Sequence, residues 1–107
     1  EQKRELIYID DAIDAMINLL EYENEIFNLG TGEDFTINTF AKIVSKCYNY
    51  DESLIEHDLD KYIGVKEKKI DTKKVLNHLK DSEDFIKTDL TNGIQRCVDY
   101  YIEAVKK

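Results

Sequence analysis

Two groups of basic side chains in this sequence have the chemistry to hold a phosphorylated ligand. Arg4 stands just before an apolar run at residues 6–9, and the planar guanidinium of arginine matches phosphate oxygens in a bidentate way. Further along, lysines crowd residues 61–74 of a chain whose net charge is −8. These lysines form either a solvated face beside a helix or an anion site, and the charge pattern leaves both open. They are Lys61, Lys66, Lys68, Lys69, Lys73 and Lys74.

A glycine turn, Gly30-Thr31-Gly32, follows a second apolar run at residues 26–29. It is too short for a Walker motif and lacks the third glycine of a dinucleotide fingerprint. A tight strand-to-helix turn is therefore favoured over direct phosphate contact, since glycine can take a positive φ there. Asn28 can brace the turn through bonds from its side chain to the backbone.

The remaining reactive side chains give no pattern of a metal or nucleophilic site. Cys47 and Cys97 lack paired spacing and histidine neighbours, so we expect two buried, reduced thiols, as in a cytoplasmic protein. His57 and His78 are equally isolated, and neither has an acidic partner at a spacing that indicates catalysis. The sequence predicts no catalytic residue and no metal ligand.

Composition and charge exclude other classes of protein. The chain has 107 residues, 42% of them hydrophobic, which is enough for one domain or a piece of one. Its net negative charge argues against nucleic-acid binding, and no apolar run approaches the length of a membrane span. We expect a soluble protein. Because the chain begins at Glu1 without a signal-peptide pattern, we also expect a piece whose N-terminal part is missing.

The elements that would position the basic residues are predicted to be short strands alternating with amphipathic helices. Strands are expected at residues 6–9 and 26–29, both covered on two faces, with a weaker candidate at residues 53–56. Helices are expected to begin at Asp10 or Asp11, at Asn38 or Thr39, at Asp71 or Thr72, and at Thr88 or Asp89.

Each helix has a predicted apolar face, and the last one also contains Gly93. A glycine there costs about 1 kcal/mol relative to alanine, which indicates close approach by another element. The faces are Ile13, Met16, Ile17 and Leu20 in the first helix; Phe40, Ile43, Val44 and Cys47 in the second; Val75, Leu76 and Leu79 in the third; and Leu90, Ile94, Cys97, Val98, Tyr101 and Val105 in the fourth.

The order of these motifs resembles the C-terminal part of the extended short-chain dehydrogenase/reductases that act on nucleotide sugars. In that family a strand of the pattern Arg-x-Phe/Leu-Ile/Val-x-Val/Ile-x-Asp brings an arginine to the diphosphate, and residues 4–11 match it. An Asn-x-Gly-Thr-Gly turn follows, matched by residues 28–32. Residues 61–74 resemble the stretch that closes over the sugar nucleotide, most nearly in the GDP-fucose synthase branch, although Glu67 stands where arginine is expected.

The resemblance implies a small α/β lobe, residues 1–107, that binds the substrate. The nicotinamide-binding N-terminal Rossmann domain would lie outside this chain. Arg4 and Lys61 would contact the nucleotide sugar, with Lys61 on a basic position that touches the nucleotide. The structural positions implied by the family are Asp11, Asn28, Gly30, Gly32 and Asp71.

The implied parent enzyme is a cytoplasmic epimerase, dehydratase or reductase in which bound NAD or NADP exchanges hydride with the sugar. This chain lacks both the Gly-x-x-Gly-x-x-Gly of the family and a Tyr-x-x-x-Lys in the right place, so it would not catalyse alone. Its implied partners are the nucleotide sugar and the N-terminal domain, with self-association through uncovered apolar faces. The alternative is a non-catalytic α/β module whose apolar helix faces only dock a partner protein.

Overall fold

A computed structural model describes residues 1–79 and 86–106. Within these ranges the chain forms three short strands, four α-helices and one turn of 3-10 helix at Glu52–Leu54. The strands are β1 (Lys3–Arg4), β2 (Phe35–Thr36) and β3 (Glu67–Lys68). The helices are α1 (Ile9–Asn18), α2 (Ile37–Cys47), α3 (Lys73–His78) and α4 (Leu90–Val105).

The strands form one mixed sheet in the order β2-β1-β3. β1 pairs antiparallel with β2, which places Arg4 opposite Phe35. It pairs parallel with β3, which places Lys3 opposite Glu67 and Arg4 opposite Lys68. The predicted α/β class is confirmed at this coarse level, with the arginine-bearing strand in the middle of the sheet.

The three predicted strand positions are wrong. Residues 6–8 have no regular structure and α1 already begins at Ile9, whose side chain is 61% exposed. Residues 26–29 are also irregular, and the third candidate coincides with the 3-10 helix. The apolar runs have the amino-acid composition of buried strands. Among the described residues, however, no strand pairs with their backbone. Backbone pairing instead falls on residues 3–4, 35–36 and 67–68, all outside the predicted runs.

Two of the predicted helix starts are confirmed. α4 follows Asp89, whose carboxylate accepts a hydrogen bond from the Asn92 N–H at 2.8 Å. α3 begins at Lys73, whose backbone N–H donates to the Asp71 carboxylate at 2.9 Å. In both cases an acidic side chain accepts a hydrogen bond from a backbone N–H in the first turn of the helix. Sequence patterns identify short-range bonds of this kind well.

The other two helix starts differ from the prediction. The cap of α2 is Thr36, whose hydroxyl accepts from the Thr39 N–H at 3.1 Å, so the helix begins before Asn38. α1 follows Tyr8 without any capping bond from a side chain. Asp11 lies inside α1 and is buried, because its carboxylate is engaged elsewhere.

The core is small and centres on Ala15, Val75 and Leu79. α1 contributes Ala15 to it, whereas the stripe predicted to be the inner face of this helix is 45–77% exposed. Periodicity locates an apolar face on a helix but does not identify what covers it. The stripe consists of Ile13, Met16, Ile17 and Leu20, and the residues packed around the core are Ile7, Leu19, Phe27, Leu29 and Ile86.

The predictions for α4 and the thiols are confirmed only in part. Gly93 is buried and faces the Tyr8 ring, but a Cβ atom built there would lie 3.5 Å from the ring, which is an ordinary contact distance, so the packing does not require glycine. Val98 is also buried, but Cys97 is exposed, contrary to expectation. Cys47 is half-buried, and both thiols are free. No helix in the described ranges is both long and apolar enough to cross a membrane.

Candidate anion-binding site

Arg4 lies against the segment that holds the concentrated lysines, which we call the basic loop (residues 61–69). A Cβ atom built on Gly64 would lie 4.0 Å from Nη2 of Arg4, and the Lys3 N–H donates to the Lys66 carbonyl at 2.8 Å. The sequence predicted that Arg4 and this loop act together, and the structure does bring them together.

The guanidinium of Arg4 retains donors for a ligand. Its Nη1 donates to the carbonyl oxygen of Lys3 at 2.7 Å. Across residues 1–79 and 86–106, no carboxylate lies within 4.0 Å of it. Since an arginine side chain has five N–H donors, most of its capacity remains available to an anion.

Lys68 is the lysine placed best to assist Arg4. The two residues are opposite each other on neighbouring strands, so their side chains leave the same face of the sheet about 4.8 Å apart at the backbone. Lys68 is exposed. The sequence placed it in the lysine cluster without singling it out, because the strand register that selects it depends on a pairing between distant parts of the chain.

Glu67, which replaces the arginine of the family pattern, is turned away from this pair. As the neighbour of Lys68 along β3 it points to the other face of the sheet. There its carboxylate lies 3.8 Å from the Lys3 ammonium. The local charge beside Arg4 is therefore set by lysine rather than by glutamate.

Lys61, the other predicted substrate residue, stands at the exposed start of the basic loop. It forms no hydrogen bond or ion pair with any residue in the described ranges. The structure thus places Lys61 in the same loop as Lys68 but gives no contact that joins it to Arg4.

The glycine turn is closed by a side chain that the sequence did not identify. The Glu5 carboxylate accepts from the Gly32 N–H at 3.0 Å, and Gly32 has a φ of 81°. The same carboxylate lies so close to Gly30 that a Cβ atom there would overlap it. The amide that a phosphate would need is thereby occupied, which supports the structural interpretation of this turn.

Two further predicted positions connect segments that are distant in sequence. Asn28 donates from Nδ2 to the Asp71 carbonyl at 3.5 Å, which links the turn to the start of α3. Asp11 is 4% exposed and accepts two bonds from Thr88. Each of these bonds joins two segments that are far apart in the sequence.

The histidines do not form a site with the basic residues. His57 contacts the Asn38 amide oxygen through Nε2 at 2.6 Å on the surface. His78 packs edge-to-face on the rings of Tyr22 and Phe27, and its Nδ1 lies 2.7 Å from the Lys74 carbonyl. In the part of the chain that the structure describes, no group of three His, Cys, Asp or Glu side chains could hold a metal ion.

The structure also contains a mainly apolar groove of about 1200 Å³. It is lined by residues 6–9, residues 86–89, α2 and α4, and the lining includes threonines and charged side chains. Cys97 and Tyr101, predicted to be inward-facing residues of α4, line this groove. The predicted inner face of α4 is thus partly an open surface.

Comparison with known proteins places these features in a class. Over 105 residues the chain is 30% identical to the GDP-L-colitose synthase of Yersinia pseudotuberculosis. The aligned region covers 95% of this chain and 32% of that protein. It is 29% identical over 104 residues to GDP-L-fucose synthase 1 of Arabidopsis thaliana, with 95% and 31% covered. A shorter match, 41% identical over 46 residues, covers 41% of this chain and 15% of the dTDP-4-dehydro-6-deoxyglucose reductase of Escherichia coli.

The chain is a distant homologue of the extended short-chain dehydrogenase/reductases that act on nucleotide sugars. Within that class it is related, over nearly its whole length, to the GDP-L-fucose and GDP-L-colitose synthases. It spans about a third of the length of these curated relatives. No family model and no solved structure matches it.

Proposed function

We propose that this chain is the substrate-binding lobe of an NAD(P)-dependent nucleotide-sugar epimerase, dehydratase or reductase. The observation that carries the proposal is the position of Arg4, which lies beside the basic loop with no carboxylate partner among the described residues, in a chain of net charge −8. Concentrated positive charge in an acidic protein favours an anionic ligand at that place.

Each basic residue has its own part in this proposal. Arg4 would donate hydrogen bonds from its planar guanidinium to two phosphate oxygens. Lys68, on the same face of the sheet, would neutralise the negative charge of the phosphate. Lys61 would reach the nucleotide from the exposed end of the loop. These residues bind and orient the ligand, and positioning of this kind can lower a reaction barrier by several kcal/mol.

The nicotinamide cofactor does not fit this chain. The glycine turn is too short for a dinucleotide, and the Gly32 amide already serves Glu5. Tyr62 and Lys66 have the spacing of a Tyr-x-x-x-Lys pair but stand on the exposed basic loop. In this proposal NAD or NADP is held by residues outside this chain, and the lobe binds and orients the substrate.

The test is calorimetric titration of the protein with GDP. Replacement of Arg4 by alanine should weaken binding by about 1.5 to 3 kcal/mol, the range for hydrogen bonds to charged groups. The matched control is Lys46→Ala, which removes one exposed positive charge from the end of α2. Equal affinities for the two variants would contradict the assignment of Arg4.

One observation favours the alternative, a non-catalytic module that docks a partner. The outer stripe of α1 and the groove beside α4 leave apolar surface open to water, and such surface usually marks an interface. The gene sequence upstream of the codon for Glu1 separates the two proposals. A Gly-x-x-Gly-x-x-Gly and a Tyr-x-x-x-Lys encoded there support the enzyme, and their absence supports the docking module.

A further inference from the structure

We infer that Glu5 is a positioning residue for the proposed anion site. It holds the glycine turn, and through the turn it fixes the distance between Arg4 and the basic loop. This inference rests on the proposed function for its consequence in binding, but its structural part can be tested separately.

The contacts of Glu5 are specific to its carboxylate. One oxygen accepts from the Gly32 N–H at 3.0 Å, a charge-assisted bond, and the group lies directly against Gly30. Among the residues the structure describes, no ion pair joins Glu5 to Arg4, although the two are adjacent in sequence. The Gly32 amide thus keeps the acidic group away from the guanidinium, which remains available to an anion.

The glycine turn in turn packs against residues 70–72, which directly follow the basic loop. A Cβ atom on Gly30 would lie 3.1 Å from Cδ1 of Ile70, and one on Gly32 would lie 3.6 Å from the Thr72 hydroxyl oxygen. The side chain of Asn28 reaches the Asp71 carbonyl. The turn therefore packs on the residues that follow β3, while β1 pairs with β3 itself.

Glu5 connects these two arrangements. It follows Arg4 directly, at the end of the central strand, and its side chain reaches the turn on which residues 70–72 rest. Loss of the carboxylate would leave the Gly32 N–H without its acceptor and loosen both the strand and the loop. A diphosphate that must contact Arg4 and Lys68 together would then meet a less ordered pair of cations.

The experiment combines GDP titration with amide hydrogen exchange for Glu5→Ala, Glu5→Gln and the double variant Arg4→Ala/Glu5→Ala. Glu5→Ala should raise the Kd for GDP about tenfold, which corresponds to about 1.4 kcal/mol. It should also speed exchange at Gly32 and at Lys3, whose N–H donates to the Lys66 carbonyl in the basic loop. Glu5→Gln retains an acceptor oxygen and should largely restore both readouts.

The double variant distinguishes a positioning role of Glu5 from a role in stability alone. If Glu5 acts through Arg4, the Glu5→Ala change should alter the Kd by less than about twofold in the Arg4→Ala background. Glu23→Ala, which removes an exposed charge from the turn after α1, should affect neither readout. A Glu5→Ala variant with wild-type affinity and faster exchange at Gly32 alone would overturn the inference.

A failure of the proposed function has a different signature. If the unaltered protein does not bind GDP, the anion site is wrong whatever Glu5 does. In that case the exchange rates still decide the structural part, because faster exchange at Lys3 in Glu5→Ala supports the link from Glu5 to the basic loop and an unchanged rate refutes it.

Discussion

The carboxylate of Asp11 holds the start of the last helix by accepting two hydrogen bonds from Thr88. One comes from the backbone N–H at 2.9 Å and the other from the hydroxyl at 3.4 Å. Asp11 lies in α1 and Thr88 stands immediately before Asp89, the cap of α4. A residue that the sequence predicted as a helix cap therefore joins two helices at opposite ends of the chain.

Replacement of Asp11 by asparagine should destabilise the fold. The amide keeps the size of the side chain but offers only one acceptor oxygen to the two Thr88 donors. We expect the free energy of unfolding to fall by about 1 to 3 kcal/mol, measured by urea titration. Asp10→Asn is the control, because it removes an exposed ion pair with Arg96 at 3.2 Å and should cost less than about 1 kcal/mol. Equal losses in the two variants would show that the Thr88 bonds contribute little.

The space around Gly93 predicts opposite effects for two substitutions. A Cβ atom would lie in ordinary contact with the Tyr8 ring at 3.5 Å, so Gly93→Ala should fit and raise stability by up to about 1 kcal/mol through helix propensity. Gly93→Leu should instead lower the melting temperature, because the added atoms collide with Tyr8 and Thr88. Thermal unfolding distinguishes the two, and a stabilised leucine variant would contradict the close packing.

The exposed stripe of α1 should make the chain associate with itself or with a partner. Ile17 and Leu20 are 59% and 77% exposed. At about 25 cal/mol per Å² of apolar area removed from water, even a modest patch supplies several kcal/mol. Sedimentation velocity over a concentration series should show association that Ile17→Ser/Leu20→Ser reduces and Lys46→Ser leaves unchanged. A clean monomer at high micromolar concentration would mean that these faces need no cover.

Acid should weaken the contact between Glu25 and Lys74. The hydrogen bond and the positive charge of Lys74, 2.6 Å away, lower the pKa of Glu25 below its usual 4.5, and His78 adds a smaller effect. Because the folded state favours the ionised carboxylate, the resulting stability is present above pH 4.5 and is lost as the pH falls through the lower folded value. The stability difference between the wild type and Glu25→Gln should therefore disappear in acid, as urea titrations at several pH values would show. A difference that does not change with pH would contradict this contact.

The parts of the fold that could be predicted depend on short-range chemistry. The starts of α3 and α4 follow from Asp71 and Asp89, whose carboxylates bond amides two or three residues away. The glycine turn could also be predicted, because Gly32 adopts a positive φ and glycine is the residue that does so most readily. In each case the signal and the structure lie within a few residues of each other, so the sequence pattern contains the whole interaction.

The parts that could not be predicted depend on pairing between distant residues. The sequence around Arg4 does not indicate that Lys68 lies opposite it. That register depends on the pairing of β1 with β3, which is more than sixty residues further along the chain. Glu5 bonds an amide at position 32, and its role is invisible without that turn. The sequence predicts the apolar stripe of the first helix, but not that these side chains stay 45–77% exposed.

The central position of β1 has a consequence for the order in which the chain can fold. Its antiparallel neighbour is at residues 35–36, but its parallel neighbour arrives only at residues 67–68. Long-range parallel pairing is slow to form, because the entropy of closing the intervening chain must be overcome before the contact stabilises it. During synthesis, β1 would therefore keep one sheet edge open until the residues of β3 had also been made.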